Sequence, residues 1–102
     1  MKEQKTEMDK LAEWMGEHAA EYGLEWVHDN KPRELSALGQ DWNQIIAYKG
    51  GIYIFDAVCH YGSYGYKKGL LEIMGYCITG GYDVVGNLTA NEVIERIQKA
   101  NM

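Results

Sequence analysis

Apolar residues recur at every third or fourth position near both ends of this chain and alternate with polar ones in between. Over residues 4–22, Met8, Leu11, Trp14, Met15, His18, Ala19 and Tyr22 fall at helical spacing, which predicts an amphipathic helix with one buried stripe. Gly23 is a natural stop, because glycine accepts the left-handed backbone on which helices end. The opposite face carries Glu13, Glu17 and Glu21, with no lysine interleaved. Leu24–His28 then reads as a short strand and Asp29-Asn30-Lys31-Pro32 as a turn. Residues 33–41 read as a loose helical turn holding Leu35 and Leu38.

The middle of the chain is patterned for a sheet. Gln44–Tyr48 and Ile52–His60 flank Lys49-Gly50-Gly51, and paired glycines supply the positive φ angles of a tight hairpin. Regular alternation puts Tyr53, Phe55, Ala57 and Cys59 on one face and Ile52, Ile54, Asp56 and Val58 on the other. Asp56 implies that its face is partly wet or that the carboxylate has a partner. In residues 70–78, Leu70, Leu71, Met74, Cys77 and Ile78 fit a helical face, whereas Leu71, Ile73 and Cys77 fit a strand. Gly69 and Gly75 would each cost a helix about 1 kcal/mol relative to alanine, so a third antiparallel strand is expected. Gly80-Gly81 breaks the chain, and Tyr82–Val85 reads as a short fourth strand or an edge. Thr89-Ala-Asn-Glu92 is a capping box that opens a helix. Val93, Ile94, Ile97 and Ala100 form its buried stripe, with Leu88 placed to staple onto Val93. The expected fold is α+β: a three- to four-stranded antiparallel sheet with an N-terminal and a C-terminal helix packed on it. At 102 residues, one domain spanning 1–102 is expected.

Charge narrows the function. The net charge is −5. Residues 1–35 hold nine acids and five bases (−4), and residues 36–102 hold six acids and five bases (−1). A nucleic-acid binder should show a basic footprint, so direct nucleic-acid binding is not expected; an acidic surface fits a basic partner. The charged start, Met-Lys-Glu-Gln-Lys-Thr-Glu, lacks the apolar core of a signal peptide, and no apolar run reaches a membrane span. Two cysteines, Cys59 and Cys77, suit a reduced compartment. A cytoplasmic location is therefore expected, and the sequon at Asn87-Leu88-Thr89 is expected to stay unmodified.

The glycine- and tyrosine-rich stretch Tyr61–Gly69, which also carries Lys67 and Lys68, is the natural place to look for chemistry. Gly62-Ser63-Tyr64-Gly65 has the G-x-x-G spacing of KH domains, but it follows a strand in an acidic chain. The phosphate-loop spacing is absent. Ser63-Tyr64-Gly65 has the residue order of fluorescent-protein chromophores, but a chain this short cannot build the enclosing barrel. Tyrosines beside lysines could stack single-stranded bases, yet the acidic chain disfavours it. What remains is a hairpin loop whose tyrosines either cover the edge of the core or contact another protein. His18, His28, His60, Cys59 and Cys77 lack metal-ligand spacing, so no metal or other cofactor is expected. Ser63, His60, Asp56 and Asp83 can be assembled into a triad on paper, but no nucleophile elbow supports Ser63, and no catalytic residue is assigned. A disulfide is not expected, because pairing of 52–60 with 70–78 would set Cys59 near Leu71, away from Cys77.

Ser63-Tyr64-Gly65, Gly69-Leu-Leu-Glu-Ile-Met-Gly75 and Asp83-Val-Val-Gly-Asn-Leu-Thr-Ala-Asn-Glu-Val93 together resemble a group of small proteins of Firmicutes phages, prophages and mobile elements. The likeness covers residues 52–97. It implies a context rather than an activity: accessory proteins that block host defences, anti-CRISPR proteins among them. The expected function is then inhibition of a host defence protein. A CRISPR nuclease would be blocked by occlusion of its basic nucleic-acid surface, with Glu13, Glu17, Glu21, Tyr61, Tyr64 and Tyr66 as contacts. A second reading is a homo-oligomeric module of the mobile element, in simplest form a homodimer paired through its sheet edge or the exposed face of 52–58. A third, a small enzyme or ligand-binding domain, requires a concave site near His60, Asp56 and Ser63.

Overall fold

The computed structural model describes residues 5–31 and 42–100. Helix α1 (Glu7–His18) opens on Thr6, whose hydroxyl accepts from Asp9 N–H while the Asp9 carboxylate accepts from Thr6 N–H. This reciprocal box satisfies two donors that a helix start leaves free. The helix tightens into a 3-10 turn over Ala19–Tyr22 and stops at Gly23, which has φ +70°. Met8, Leu11, Met15 and Ala19 are buried along one face, as their spacing predicts.

Five strands follow: β1 (Glu25–Lys31), β2 (Trp42–Lys49), β3 (Ile52–Val58), β4 (Leu71–Met74) and β5 (Val85–Leu88). They lie in chain order, each antiparallel to the next. A one-turn helix, α2 (Tyr76–Thr79), separates β4 from β5, and α3 (Ala90–Lys99) ends the described chain. The expected class stands; the sheet has five strands where three or four are expected.

The extra strand length comes from polar residues. Asp29, Asn30 and Lys31 do not turn but continue β1, opposite Gln44, Asn43 and Trp42. An edge strand half in water tolerates such residues. Pro32, Leu35 and Leu38, and with them the loose turn expected over 33–41, lie outside the described residues. The predicted strand over 70–78 is correct only as far as Met74. Gly75, at φ +120°, lets the chain lie against Ile54 and Phe55 before Tyr76–Thr79 coil into α2. The last strand is displaced from Tyr82–Val85 to Val85–Leu88. Thr79 Oγ1 holds the intervening turn by donating to the Tyr82 carbonyl, 2.5 Å away.

Both long helices pack on one face of the sheet. Their apolar stripes meet Ile45 and Ala47 of β2, Phe55 and Ala57 of β3, Leu71 and Ile73 of β4, and Leu88 of β5 in one buried cluster. Val93 and Ile97 of α3 are fully buried, Ile94 and Ala100 partly so, and the Thr89–Glu92 capping box forms as expected. Two polar links tie this layer together. The Glu7 carboxylate accepts from Ala90 N–H at 2.7 Å, joining the starts of α1 and α3. Arg96 donates to the Ile78 carbonyl at 2.9 Å, which caps α2.

One expectation about β3 fails for a definable reason. A bulge between Ala47 and Tyr48 places Tyr53 opposite Tyr48, while Phe55 lies opposite Ala47. The extra residue resets the alternation. Tyr53 therefore falls on the side of Asp56, to which its hydroxyl donates, and Ile54 packs against the core.

Candidate contact surfaces

The side of the sheet away from the helices is built by the residues that alternate with the core positions. Val27 of β1, Ile46 of β2, Val58 of β3, and Glu72 and Met74 of β4 occupy it, as their cross-strand pairing requires. Val58 is buried but stands outside the core cluster, as this side demands. Asp56 is also here, 4% exposed. Gln44 Nε2 donates to its Oδ2 at 3.1 Å, and the Tyr53 hydroxyl donates to its Oδ1. The partner expected for Asp56 is thus a pair. Partial burial, then the bond to Asp56, pushes the Tyr53 phenol well above its ordinary pKa. Among the described residues no buried side-chain nitrogen or oxygen lacks a partner.

The loop between β3 and β4 closes on itself. Ser63 Oγ donates to the His60 carbonyl at 2.8 Å and accepts from His60 N–H at 3.0 Å. His60 stacks flat on Trp42, with ring centroids 4.4 Å apart, and its Nδ1–H donates to the Tyr61 carbonyl. Ser63, His60 and Asp56 are each engaged elsewhere, so the paper triad is not assembled. Glu72 accepts from Tyr64 N–H at 3.0 Å, which draws the loop over the open side of β4. The Tyr64 side chain starts directly against Gly86, where any Cβ would collide with it. Its ring nevertheless projects outward, at 65% exposure. Tyr61 is comparably exposed, and Tyr66 meets it edge-on at 6.1 Å. Tyr66 is only half-buried and not a free surface ring: it also borders a hollow with Thr6, Met8 and Trp42. The loop itself frames an open hollow of about 470 Å³ between its tyrosines, Lys67, Lys68 and Asn87.

The glutamate row lies on the helix layer. Glu13, Glu17 and Glu21 are all exposed. No lysine is interleaved in the row, but spacing along one helix does not show what folds back on it. Lys5, before the helix, places its ammonium on Glu13. His18 lies between the other two, 3.8 Å from Glu17 and 3.1 Å from Glu21. Exposed pairs of this kind contribute little and compete weakly with a partner. Glu13 and Glu17 also line a shallow hollow with Lys10, Trp14, Asn91 and Ile94, on the seam between α1 and α3. The row and the tyrosine loop thus occupy different layers, two patches rather than one.

No family model, curated protein or solved structure matches this chain. Among the described residues, no group of three or more His, Cys, Asp or Glu is placed to hold a metal ion. None of their helices is long and apolar enough to cross a membrane. Cys59 and Cys77 are both free, and burial pushes both thiols above their ordinary pKa. Both are therefore poor nucleophiles at neutral pH.

The sequence offers a sheet edge for self-pairing but does not identify it as the outer edge of β1. Its pattern of burial leaves Glu25, Val27, His28, Asn30 and Lys31 exposed, with Val27 at 52%. Only the order of the strands shows that, among the described residues, β1 has a single neighbour. A hint was present in the polar run from His28 to Lys31, since charged and amide residues collect on sheet edges.

Proposed function

We propose that this protein is a small acidic inhibitor that binds the basic nucleic-acid surface of a host defence nuclease, of the anti-CRISPR kind, in the host cytoplasm. The observation that carries the reading is the exposed row of Glu13 and Glu17 on α1 and Glu21 in the 3-10 turn that follows it. Glu13 and Glu17 lie one α-helical step of about 6 Å apart, close to the spacing of phosphates along a nucleic-acid strand, and Glu21 extends the acidic row into the 3-10 turn. A channel lined with lysine and arginine would accept such a row in place of its substrate. The exposed rings of Tyr61 and Tyr64 supply apolar anchors of the type that dominates protein interfaces. The resemblance of residues 52–97 to phage and mobile-element proteins supplies the choice of target.

The test is inhibition of DNA cleavage by a purified single-protein CRISPR nuclease, with binding followed in parallel. Wild-type protein should slow cleavage and bind more weakly as salt rises. The triple variant Glu13→Lys, Glu17→Lys, Glu21→Lys should bind about a hundredfold more weakly. Tyr64→Ala should lose about tenfold. Undiminished binding by the triple variant would remove α1 as the contact. Failure of the wild type to bind any nuclease of this class would remove the reading altogether.

A further inference from the structure

The outer edge of β1 carries a self-complementary pattern. Seven residues, Glu25–Lys31, form this edge strand, and among the described residues only β2 pairs with it. Unpaired N–H and C=O groups on such an edge are a template for another strand. Charges on an edge usually guard against this, so the decisive question is whether they repel or attract a second copy.

Symmetry limits the alternatives. Two antiparallel copies of one strand are related by a two-fold axis perpendicular to the sheet, and that axis keeps each residue on its own face. Residue numbers of opposed partners must therefore sum to an even number, because faces alternate along a strand. An axis at Val27 sets Glu25 against Asp29 of the second copy, and an axis at Asp29 sets Asp29 against itself. Like charges directly opposite one another are destabilising. An axis at His28 engages all seven residues and sets Glu25 against Lys31 twice, Trp26 against Asn30 twice, Val27 against Asp29 twice, and His28 against itself. It is the one central register in which the end charges attract.

We propose that two copies of this chain pair antiparallel through β1 about a two-fold axis at His28, forming one continuous ten-stranded sheet. The helices of both copies then lie on the same side, and the exposed Val27 side chains meet near the axis on the open side. Lys31, which lies 3.6 Å from Asp29 within its own strand, gains Glu25 of the second copy as a further partner. About six to eight main-chain hydrogen bonds close the junction. Its small area makes the dimer a weak one, sensitive to protein concentration. This inference is independent of the proposed target, since the glutamate row lies on α1 and the turn that follows it, away from the outer edge of β1.

Sedimentation equilibrium from about 1 μM to about 1 mM protein reads the association directly. Glu25→Lys alone, or Lys31→Glu alone, creates two like-charge oppositions and should weaken the dimer about tenfold. The double variant Glu25→Lys, Lys31→Glu restores opposite charges and should return the association to within about threefold of wild type. Circular dichroism controls for folding of each variant. A wild-type protein that stays monomeric across the range overturns the proposal. So does a dimer indifferent to either single reversal, or a double variant no better than the singles.

Discussion

Asp56 sits almost out of water in the middle of the sheet, between the amide of Gln44 and the phenol of Tyr53. A buried carboxylate is tolerated only while its oxygens are supplied with donors. Tyr53→Phe removes one donor and little volume, so the cost should come from Asp56 and amount to about 1–3 kcal/mol in urea denaturation. A change near zero would mean that water replaces the hydroxyl. Glu7 is a carboxylate whose pKa the structure lowers. The Ala90 N–H, then Lys10 at 3.1 Å, hold its carboxyl below the ordinary 4.5 against the cost of burial. A depressed carboxylate pKa adds stability above the unfolded value, and that stability is lost as pH falls through the folded value. Glu7→Gln should therefore cost about 1–2 kcal/mol at pH 7. The gap to wild type should close as the medium is taken from about pH 5 to pH 3. A gap that stays constant over that range would show that charge is not what Glu7 contributes.

The elements differ in how far their ends are written locally. The C-terminal helix is legible because Thr89 and Glu92 act within one turn, and the structure holds the same box: Thr89 Oγ1 accepts from Glu92 N–H at 3.2 Å, and Glu92 accepts from Thr89 N–H at 2.9 Å. Thr89→Ala should lower stability by about 1 kcal/mol, read as a drop in urea midpoint with an unchanged slope. The bulge opposite Ala47 and Tyr48 has no such local signature. It is set by packing across two strands, which is why alternation alone puts Tyr53 on the wrong face. Gly75 lies between these cases. Its presence in 70–78 correctly weakens a long helix, but its role is to end β4, with φ +120° and no room for a Cβ beside Ile54 and Phe55. Gly75→Ala combines backbone strain with a collision against main chain and should cost about 3 kcal/mol. A melting temperature within a degree of wild type would contradict that placement.

At the scale of the molecule, the fold class follows from two helical stripes enclosing a run of alternating segments, because only one side of such a sheet needs covering. The order of the strands is not written in that pattern, and the contact surfaces depend on it. Glu13, Glu17 and Glu21 could be placed on the surface from their spacing, whereas the loop composition left Tyr61 and Tyr64 open between covering the core edge and facing outward, and their exposure of 61% and 65% decides it. The edge of β1 emerges only once β1 is known to have one neighbour among the described residues. The same order explains how the chain ends cooperate. Helices α1 and α3 come from opposite ends of the sequence, yet Met8, Leu11, Val93 and Ile97 share one buried cluster, and Glu7 bonds to the first residue of α3. Removing residues 89–102 would therefore strip cover from Leu71, Ile73 and Leu88 and uncover the apolar face of α1 at the same time. Losing the fully buried Val93 and Ile97 at about 1.5–3 kcal/mol each, together with the exposure of the sheet and α1 residues they cover, is of the same order as the roughly 5–15 kcal/mol by which a domain is stable. The truncated chain should show no cooperative thermal transition by circular dichroism, and should bind a dye that reports exposed apolar surface. A sharp transition in the truncated chain would mean that α1 and the sheet form a stable unit alone, and that α3 is an addition to the core rather than part of it.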